Sequence, residues 1–320
     1  MTASTPAPVY FDTDLGIDDS LALAYLLGAP EVAVKGVGTV SGNCSAAQAA
    51  RNTLDLLGLA DRTDIPVAVG CTDWLAHPFD GGSPEVHGDN GVGGITMPRA
   101  AAEPVDEHAV DMLIRLAHEH PGTLRIVAIA PFTNLAAAIT KDPTIVAKVD
   151  TVVVMGGAAL APGNMTPVSE ANVMHDPEAA AIVFAAPWPI VMVGLDVTMQ
   201  HTFGEDDRAA LADSPRPVAQ ALAAMLSSYA DFYVGIYGRR TVALHDPLAA
   251  AVACGTVELT SAPTVGVVVD DTDGPGRGQT ICDLRGRFRG YPDQPGAHTR
   301  VVLDCAGDFA AHLRERLLTV

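Results

Sequence analysis

Residues 9–27 read VYFDTDLGIDDSLALAYLL, in which an apolar run leads into a cluster of acids and then into an Ala/Leu-rich stretch of helical period. This pattern predicts a strand at Val9–Asp12, a tight turn at Gly16 and a helix at Asp19–Leu27. A buried strand that leads directly into a helix is the repeating unit of a parallel sheet covered by helices. The stretch therefore predicts an α/β fold.

The same alternation continues along the chain. Short β-branched runs predict further strands at Val32–Val40, Ile65–Val69, Leu124–Ile129, Thr151–Met155, Ile190–Val193 and Thr264–Asp270. Helical periodicity predicts helices at Ala46–Leu57, Glu107–His118, Asn134–Ile139 and Pro177–Phe184, from Asp206 to Tyr237, from Asp246 onward, and at Gly307–Leu318. No linker or repeat divides the chain, so we expect one domain over residues 1–320. Its fold should be an open, mostly parallel, Rossmann-like sheet with helices on both faces and C-terminal helical additions.

Composition and charge exclude several classes of protein. The net charge is −19, whereas nucleic-acid and anionic-membrane partners require a basic surface. The longest apolar run, Ala179–Leu195, is interrupted by two prolines, so no membrane span is expected. The five cysteines have no zinc-ribbon spacing and are odd in number, which favours a reducing compartment over a disulfide scaffold. The first ten residues lack a signal-peptide pattern, and we expect a cytoplasmic protein.

Two long irregular segments, Cys71–Ala102 and Ala158–His175, each follow a predicted strand. The carboxyl ends of parallel strands form the edge at which α/β proteins build ligand sites. Both segments carry Asn, His, Glu and Asp among glycines, and long loops in compact domains are often functional. We therefore expect both at a binding site.

Four aspartates, Asp12, Asp14, Asp18 and Asp19, lie within eight residues where the first strand meets its helix. Asp18 and Asp19 alone could cap the helix and complement its dipole. That role does not account for two more acids immediately upstream, because carboxylates this close repel one another unless a cation lies among them. An oxygen-only ligand set without Cys or paired His favours Ca²⁺ or Mg²⁺ over zinc.

A strand ending in DTDLGIDD resembles the DxDxGxDD signature of nucleoside hydrolases. Other segments resemble elements of that family in the same order: TVSGN (39–43), EVHG (85–88) with GVGG (91–94), APFTNL (130–135), MGG (155–157), GNMTP (163–167), EAN (170–172), DPEAA (176–180) and LHDPLA (244–249), with a weaker match at RGQT (277–280). Each element alone is modest, but the ordered series, which covers about residues 9–255, is specific.

The resemblance implies hydrolysis of the N-glycosidic bond of ribonucleosides through an oxocarbenium-like transition state. It implies Ca²⁺ as cofactor, held by Asp14, Asp19, the Ile129 carbonyl and Asp246. The cation would lower the pKa of a bound water, and Asp14 would take the proton as general base. His245 would assist departure of the base. A ribonucleoside is the implied partner, and the family's habit predicts a homodimer or homotetramer.

The substrate contacts that the resemblance implies come from Asp18, Asn43, His87, Asn164, Glu170, Asn172, Tyr229 and Tyr233. The ribose 2′- and 3′-hydroxyls would be bound by Asp18, Asn172 and Asp246, with Asn43 nearby. The 5′-hydroxyl would be bound by Asn164 and Glu170, and the two tyrosines would line the base. Many inosine-uridine members carry Phe where this chain has Ala171, so base preference and 5′ recognition stay open.

Some residues in these motifs have ordinary structural roles. Asp176 and Asp246 each precede a proline, a pattern typical of a helix start with Asp at the N-cap. We interpret Asp176 as a cap only, and Asp246, beside His245, as a ligand. Thr133 and Asn134 are interpreted as structural residues that could cap their helix.

Two other functions remain open. A phosphohydrolase of the haloacid-dehalogenase type also carries DxD after its first strand, but it needs a lysine to hold phosphate. Lys35, Lys141 and Lys148 are the only lysines, and none is placed for that role. A non-catalytic, metal-dependent ribose- or nucleoside-binding protein would keep the pocket without the chemistry, and the intact Asp14 argues against it.

Overall fold

The strands and helices are taken from a computed structural model, which describes residues 5–320. The strands in these residues are β1 (Ala7–Thr13), β2 (Val32–Thr39), β3 (Val67–Val69), β4 (Leu124–Ala128), β5 (Val149–Met155), β6 (Ile190–Val193), β7 (Thr202–Phe203), β8 (Val242–Ala243), β9 (Leu259–Ser261), β10 (Thr264–Val265), β11 (Val267–Val269), β12 (Thr280–Cys282), β13 (Thr299–Val302) and β14 (Asp304–Cys305). Eight of them form one sheet in the order β10-β13-β6-β5-β4-β1-β2-β3. All pairs in this sheet are parallel except β10 with β13.

Helices cover both faces of the sheet. They are α1 (Ile17–Leu27), α2 (Ala46–Leu59), α3 (Pro84–His87), α4 (Ala109–Glu119), α5 (Thr133–Lys141), α6 (Ala171–His175), α7 (Pro177–Ala185), α8 (Leu195–Thr198), α9 (Glu205–Ala212), α10 (Pro217–Tyr237), α11 (His245–Cys254) and α12 (Phe309–Leu317), with 3₁₀ turns at Pro143–Ala147 and Arg287–Arg289. Side chains alternate between two cores, since successive residues of a strand point to opposite faces. In β1, Val9 and Phe11 join the core of α1, α2, α10, α11 and α12, whereas Tyr10 joins that of α4, α5 and α7.

The strand order places a crevice at the carboxyl end of β1. β1 lies between β2 and β4, so the chain winds outward through β2 and β3 on one side and through β4, β5 and β6 on the other. α1 follows β1 on one face, whereas α5 follows β4 on the opposite face. Loops diverge where the winding direction reverses, and ligands of open α/β sheets bind there.

The α/β fold class predicted from sequence is confirmed, and the first six predicted strands all lie in the main sheet. The helix predicted from Asp206 to Tyr237 is two helices, α9 and α10, because Pro215 and Pro217 interrupt it. The single strand predicted at Thr264–Asp270 is wrong. The chain breaks at Gly266 into β10, which joins the main sheet, and β11, which pairs with β12.

The main sheet also contains a strand that the sequence did not predict. β13 pairs with β6 in parallel and with β10 in antiparallel register. Its four residues follow a Pro- and Gly-containing segment, and their local pattern is too short to identify a strand. None of the helices within residues 5–320 is both long and apolar enough to cross a bilayer. The five cysteines are free.

Candidate active site

Asp19 closes the turn between β1 and α1. Its carboxylate accepts the Gly16 N–H at 2.8 Å and the Thr13 hydroxyl at 2.5 Å. Gly16 has a φ of −85°, which any residue adopts, but a Cβ there would lie 2.5 Å from Asn43 Nδ2 and 2.7 Å from His87 Nδ1. Crowding, rather than backbone conformation, therefore requires glycine at this turn.

Three carboxylates meet at the crevice, from two helices that are far apart in the sequence. One oxygen from each of Asp18, Asp19 and Asp246 lies within 4.8 Å of the other two, and all three side chains are buried. Asp246 is not an N-cap, although it precedes a proline: α11 begins at His245, and Leu244 occupies the N-cap. Asp246 lies inside the first turn instead, where its carboxylate meets those of α1.

Asp14 is fully buried beside this trio and is oriented by Asn43. Its carboxylate accepts the Asn43 backbone N–H at 2.6 Å and Asn43 Nδ2 at 3.2 Å. The same Nδ2 donates to Asp19 at 3.0 Å. Asn43 therefore ties Asp14 to Asp19 and restricts the rotamers of both.

The Ile129 carbonyl, just past the end of β4, faces the same region. It accepts Asn172 Nδ2 at 3.1 Å, and that amide also donates to the Met155 carbonyl at the end of β5 at 3.2 Å. Asn172 lies in α6, the short helix at the end of the second irregular segment. One amide thus joins two strand ends to the segment that the sequence placed at the site.

Negative charge is concentrated in this buried region. Burial raises the pKa of Asp18 to about 6. Burial and the neighbouring carboxylates hold the pKa values of Asp14 and Asp246 well above their usual range. Within residues 5–320, no Lys or Arg forms an ion pair with any of these groups. The carboxylate and carbonyl donors fit a hard divalent cation, which would relieve the repulsion.

The second irregular segment brings Glu170 into the site and leaves Asn164 on the surface next to it. Glu170 is the N-cap of α6, and its carboxylate accepts three backbone N–H groups, from Asn172, Gly157 and Val173, at 2.9 to 3.2 Å. Burial raises the pKa of Glu170 to about 7. Asn164 Oδ1 accepts the Ala171 N–H at 3.0 Å, and Asn164 Nδ2 remains available as a donor.

A chain of buried hydrogen bonds leads away from Asp18 along α10. Tyr229 donates to Asp18 at 3.0 Å, its hydroxyl is 3.5 Å from that of Tyr233, and the Tyr233 hydroxyl is 2.7 Å from His245 Nε2. His245 Nδ1 is 2.8 Å from the Thr198 hydroxyl. Burial lowers the pKa of His245 to about 4, so its imidazole is neutral near pH 7. The two tyrosines, four residues apart, share one face of α10.

His87 reaches the same region from the first irregular segment. Its Nδ1 accepts the Ile17 N–H at 3.1 Å, and its ring lies 5.4 Å from that of Tyr229. Burial lowers the pKa of His87 to about 4. His87 therefore joins the start of α1 to the tyrosines of α10.

Several nearby polar residues have structural contacts. Asp12 accepts the Tyr10 hydroxyl at 2.8 Å and Asn134 Nδ2 at 3.0 Å, on the opposite face of the sheet from α1. Asn134 does not cap α5, whose N-cap is Phe132. Its Nδ2 also donates to the Thr39 carbonyl, and its Oδ1 accepts the Cys71 N–H, so its side chain links Asp12 to residues at the ends of β2 and β3. Asp176 is the N-cap of α7, as predicted, and its other oxygen accepts the Thr133 hydroxyl.

Sequence reasoning missed three residues that hold the site together: Thr13, Asp196 and Thr198. Thr13 orients Asp19, and Thr198 contacts His245. The Asp196 carboxylate accepts backbone N–H groups of the second irregular segment. The signal that could have found Asp196 and Thr198 is their position directly after the predicted strand Ile190–Val193, at the edge where the other site residues lie.

Replacing Gly42 with alanine is expected to impair the site without unfolding the protein. A Cβ at Gly42 would lie 2.0 Å from Asp14 Oδ2 and 2.7 Å from Pro131 Cδ. The Asp14 carboxylate would have to move to make room for the new methyl group. A misplacement of about 1 Å in a group that takes part in a reaction costs about 10²-fold in rate. The measurement is catalytic rate together with the thermal midpoint.

The matched control for Gly42→Ala is Gly235→Ala in α10. A Cβ at Gly235 meets nothing within 4 Å, and alanine is the better helix former by about 1 kcal/mol. We expect unchanged activity and equal or higher stability for this control. Full activity in Gly42→Ala would contradict the placement of Asp14 in the chemistry.

Known proteins resemble this chain in sequence and structure. A family model described as inosine-uridine preferring nucleoside hydrolase matches residues 9–310. A probable uridine nucleosidase 2 of Oryza sativa subsp. japonica is 39% identical over 285 residues, which cover 88% of this chain and 83% of that protein. A plant nucleoside hydrolase structure superimposes with a TM-score of 0.91 at 34% identity, covering 98% of this chain and 99% of the other. A purine-preferring ribonucleoside hydrolase from Gardnerella vaginalis superimposes with a TM-score of 0.89 at 31% identity, covering 98% of each chain.

Proposed function

Because this chain belongs to the inosine-uridine preferring nucleoside hydrolase family, we propose that its buried carboxylates perform the family's reaction with a bound calcium ion. The chain is an N-ribosyl nucleoside hydrolase, and the reaction converts a ribonucleoside into its free base and ribose. The observation that carries the calcium proposal is the meeting of Asp18, Asp19 and Asp246, from the first and the eleventh helix, without a basic side chain to neutralise them.

The proposed ligands are Asp14, Asp19, the Ile129 carbonyl and Asp246. This set differs from the three mutually close carboxylates, which include Asp18 and not Asp14. We leave Asp18 out of the ligands because its carboxylate already accepts a hydrogen bond from Tyr229. Asp14 shares Asn43 Nδ2 with Asp19, which supports its place among the ligands. When bound, Ca²⁺ would lower the pKa of a coordinated water toward neutrality.

Asp14 is the proposed general base. Two donors from Asn43 hold its carboxylate, so it approaches the attacking water in one orientation. Positioned proton acceptors of this kind contribute about 10²–10⁴-fold to rate. On the sugar side, Asp18, Asn172 and Asp246 are proposed to bind the 2′- and 3′-hydroxyls, with Asn43 nearby, and Asn164 and Glu170 the 5′-hydroxyl.

His245, with Tyr229 or Tyr233 or bulk water, is proposed to assist departure of the base. Its Nε2 lies 2.7 Å from the Tyr233 hydroxyl, and Tyr233 in turn lies beside Tyr229, which donates to Asp18. Nε2 is therefore the nitrogen that faces the tyrosines proposed to line the base, with His87 beside them.

The two alternative functions have less support. In a phosphohydrolase a lysine would approach the carboxylates, but Lys141 pairs with Asp111 on the surface at 2.5 Å and Lys35 is exposed on β2. A sensor without chemistry would not need a base held as tightly as Asp14.

The test is a panel of ribonucleosides assayed for ribose release, with and without chelator. Uridine and inosine come first, since relatives of both pyrimidine and purine preference resemble this chain. We expect ribose release that falls at least about 10²-fold on chelation and returns with Ca²⁺. Binding without ribose release would favour the sensor, and phosphate release from a phosphomonoester would favour the phosphohydrolase. Light scattering of the same sample tests the proposed homodimer or homotetramer.

A further inference from the structure

α8, the four-residue helix Leu195–Thr198 that follows β6, contacts both the sugar side and the base side of the site. We propose that Asp196 and Thr198 are positioning residues for the reaction, Asp196 for the loop that binds the sugar and Thr198 for His245. This inference rests on the proposed function and goes beyond it, because neither residue touches the reacting atoms.

Asp196 holds the loop at its beginning. Its carboxylate accepts three consecutive backbone N–H groups, those of Ala159, Leu160 and Ala161, at 2.7, 2.6 and 2.9 Å. Hydrogen bonds to a carboxylate are roughly twice as strong as neutral ones. Leu160 is half exposed, and only the small side chains of Ala159 and Ala161 pack against the cores, so this carboxylate is a main hold on the stretch.

The rest of the loop is closed on itself and is held at both ends. The N–H groups of Asn164, Met165 and Thr166 all point at the Ser169 carbonyl, and the Ser169 hydroxyl donates to the Arg277 carbonyl. Upstream, the Gly157 carbonyl accepts the Leu195 N–H of α8 at 2.9 Å. Asp196 and α8 therefore hold the beginning of the loop, and Ser169 and Glu170 hold its end. Releasing residues 159–161 would loosen the first of these two holds and shift Asn164, and with it the contact proposed for the 5′-hydroxyl.

Thr198 acts on the other half of the site. It is fully buried, and its hydroxyl is 2.8 Å from His245 Nδ1. This hydrogen bond sets the orientation of the imidazole ring, and so holds His245 Nε2 toward the tyrosines on the base side of the site.

The two contacts predict losses of activity that differ from one substrate to another. Loss of Asp196 should matter only when the sugar has a 5′-hydroxyl to bind. Loss of Thr198 should matter only when the leaving group needs a proton. A general loss of folding would affect all substrates alike.

The Asp196 arm compares uridine with 5′-deoxyuridine. In Asp196→Ala we expect kcat/KM for uridine to fall by about 30-fold, chiefly through KM, and that for 5′-deoxyuridine by less than about threefold. Asp196→Asn, which keeps one acceptor oxygen, should give an intermediate loss. Equal losses on both substrates, or none, would overturn the role of Asp196.

The Thr198 arm compares uridine with 4-nitrophenyl riboside, whose leaving group departs without a proton. In Thr198→Val, which preserves shape, we expect kcat for uridine to fall by about tenfold and that for the nitrophenyl riboside by less than about twofold. A loss that is the same for both substrates would overturn the role of Thr198.

Two control variants separate positioning from stability. Asp308→Ala removes another carboxylate that accepts a backbone N–H, at the start of α12, and Thr53→Val replaces another buried threonine, which donates to Ala49. Neither should change the substrate ratios. If the wild-type protein releases no ribose from any nucleoside, the proposed function fails. If the wild type is active and the α8 variants match these controls, the inference alone fails.

Discussion

The Asp14→Asn variant is expected to bind nucleosides and yet to release almost no ribose. Asparagine keeps the shape of the side chain, and its single side-chain oxygen can still accept the Asn43 N–H that Asp14 accepts at 2.6 Å. It cannot accept a proton from water near neutral pH. Loss of a positioned base lowers rate by about 10²–10⁴-fold, and an effect on kcat without a matching effect on affinity marks an interaction made in the transition state.

This experiment needs kcat from ribose release and a dissociation constant from calorimetry. Because Asp14 is also a proposed ligand, the variant should be assayed at Ca²⁺ concentrations that saturate it. Asp304→Asn, which changes an exposed aspartate bonded to Thr260, is the control for handling and folding. Undiminished turnover in Asp14→Asn would remove Asp14 from the role of base.

The second large effect concerns Asp246 and appears in stability as well as activity. Calcium at 100 times its dissociation constant adds about 2.7 kcal/mol to a protein that binds it only when folded. In a chain of 320 residues that is a rise of about 4 °C in thermal midpoint. Asp246→Asn should lose this rise and lose ribose release with it.

The same substitution should stabilise the calcium-free protein. The pKa of Asp246 is held well above its usual range by burial and by the charges of Asp18 and Asp19, so its ionised form is disfavoured in the folded state. Neutral asparagine removes that repulsion, and we expect a gain on the order of 1 kcal/mol in the free energy of unfolding. Differential scanning calorimetry with chelator and with Ca²⁺ measures both effects. An Asp246→Asn protein that is less stable in chelator and still responds to Ca²⁺ would contradict a cation at this site.

Much of the site could be predicted from the sequence because several of its residues are charged and lie next to apolar segments. Asp14 and Asp19 stand out since a run of acids next to a buried strand is unfavourable without a cation, and the meeting of Asp18, Asp19 and Asp246 agrees with that reasoning. The Ile129 carbonyl leaves no trace in residue type, because any residue supplies a carbonyl. Only the family resemblance indicated it.

The residues that the sequence analysis missed are not unusual for their place in the sequence. Asp196 and Thr198 are ordinary residues of a four-residue helix, and their roles depend on which loop and which ring the fold brings beside them. β13 was missed for a similar reason, because a four-residue strand is stabilised by pairing with β6 and β10 rather than by its own propensity. The helix expected from Asp246 onward begins one residue earlier, at His245, so the Asp-Pro pattern does not mark an N-cap there.

The meeting of α1 and α11 would couple the proposed calcium ion to local unfolding. These two helices pack against each other, and each supplies carboxylates to the same cluster. Any opening that separates α11 from α1 also separates these carboxylates, so the helix could not detach while a cation stayed bound between them. Calcium concentration would then set how often this part of the chain opens. The ion proposed for the chemistry would also protect the junction between the two helices from proteases.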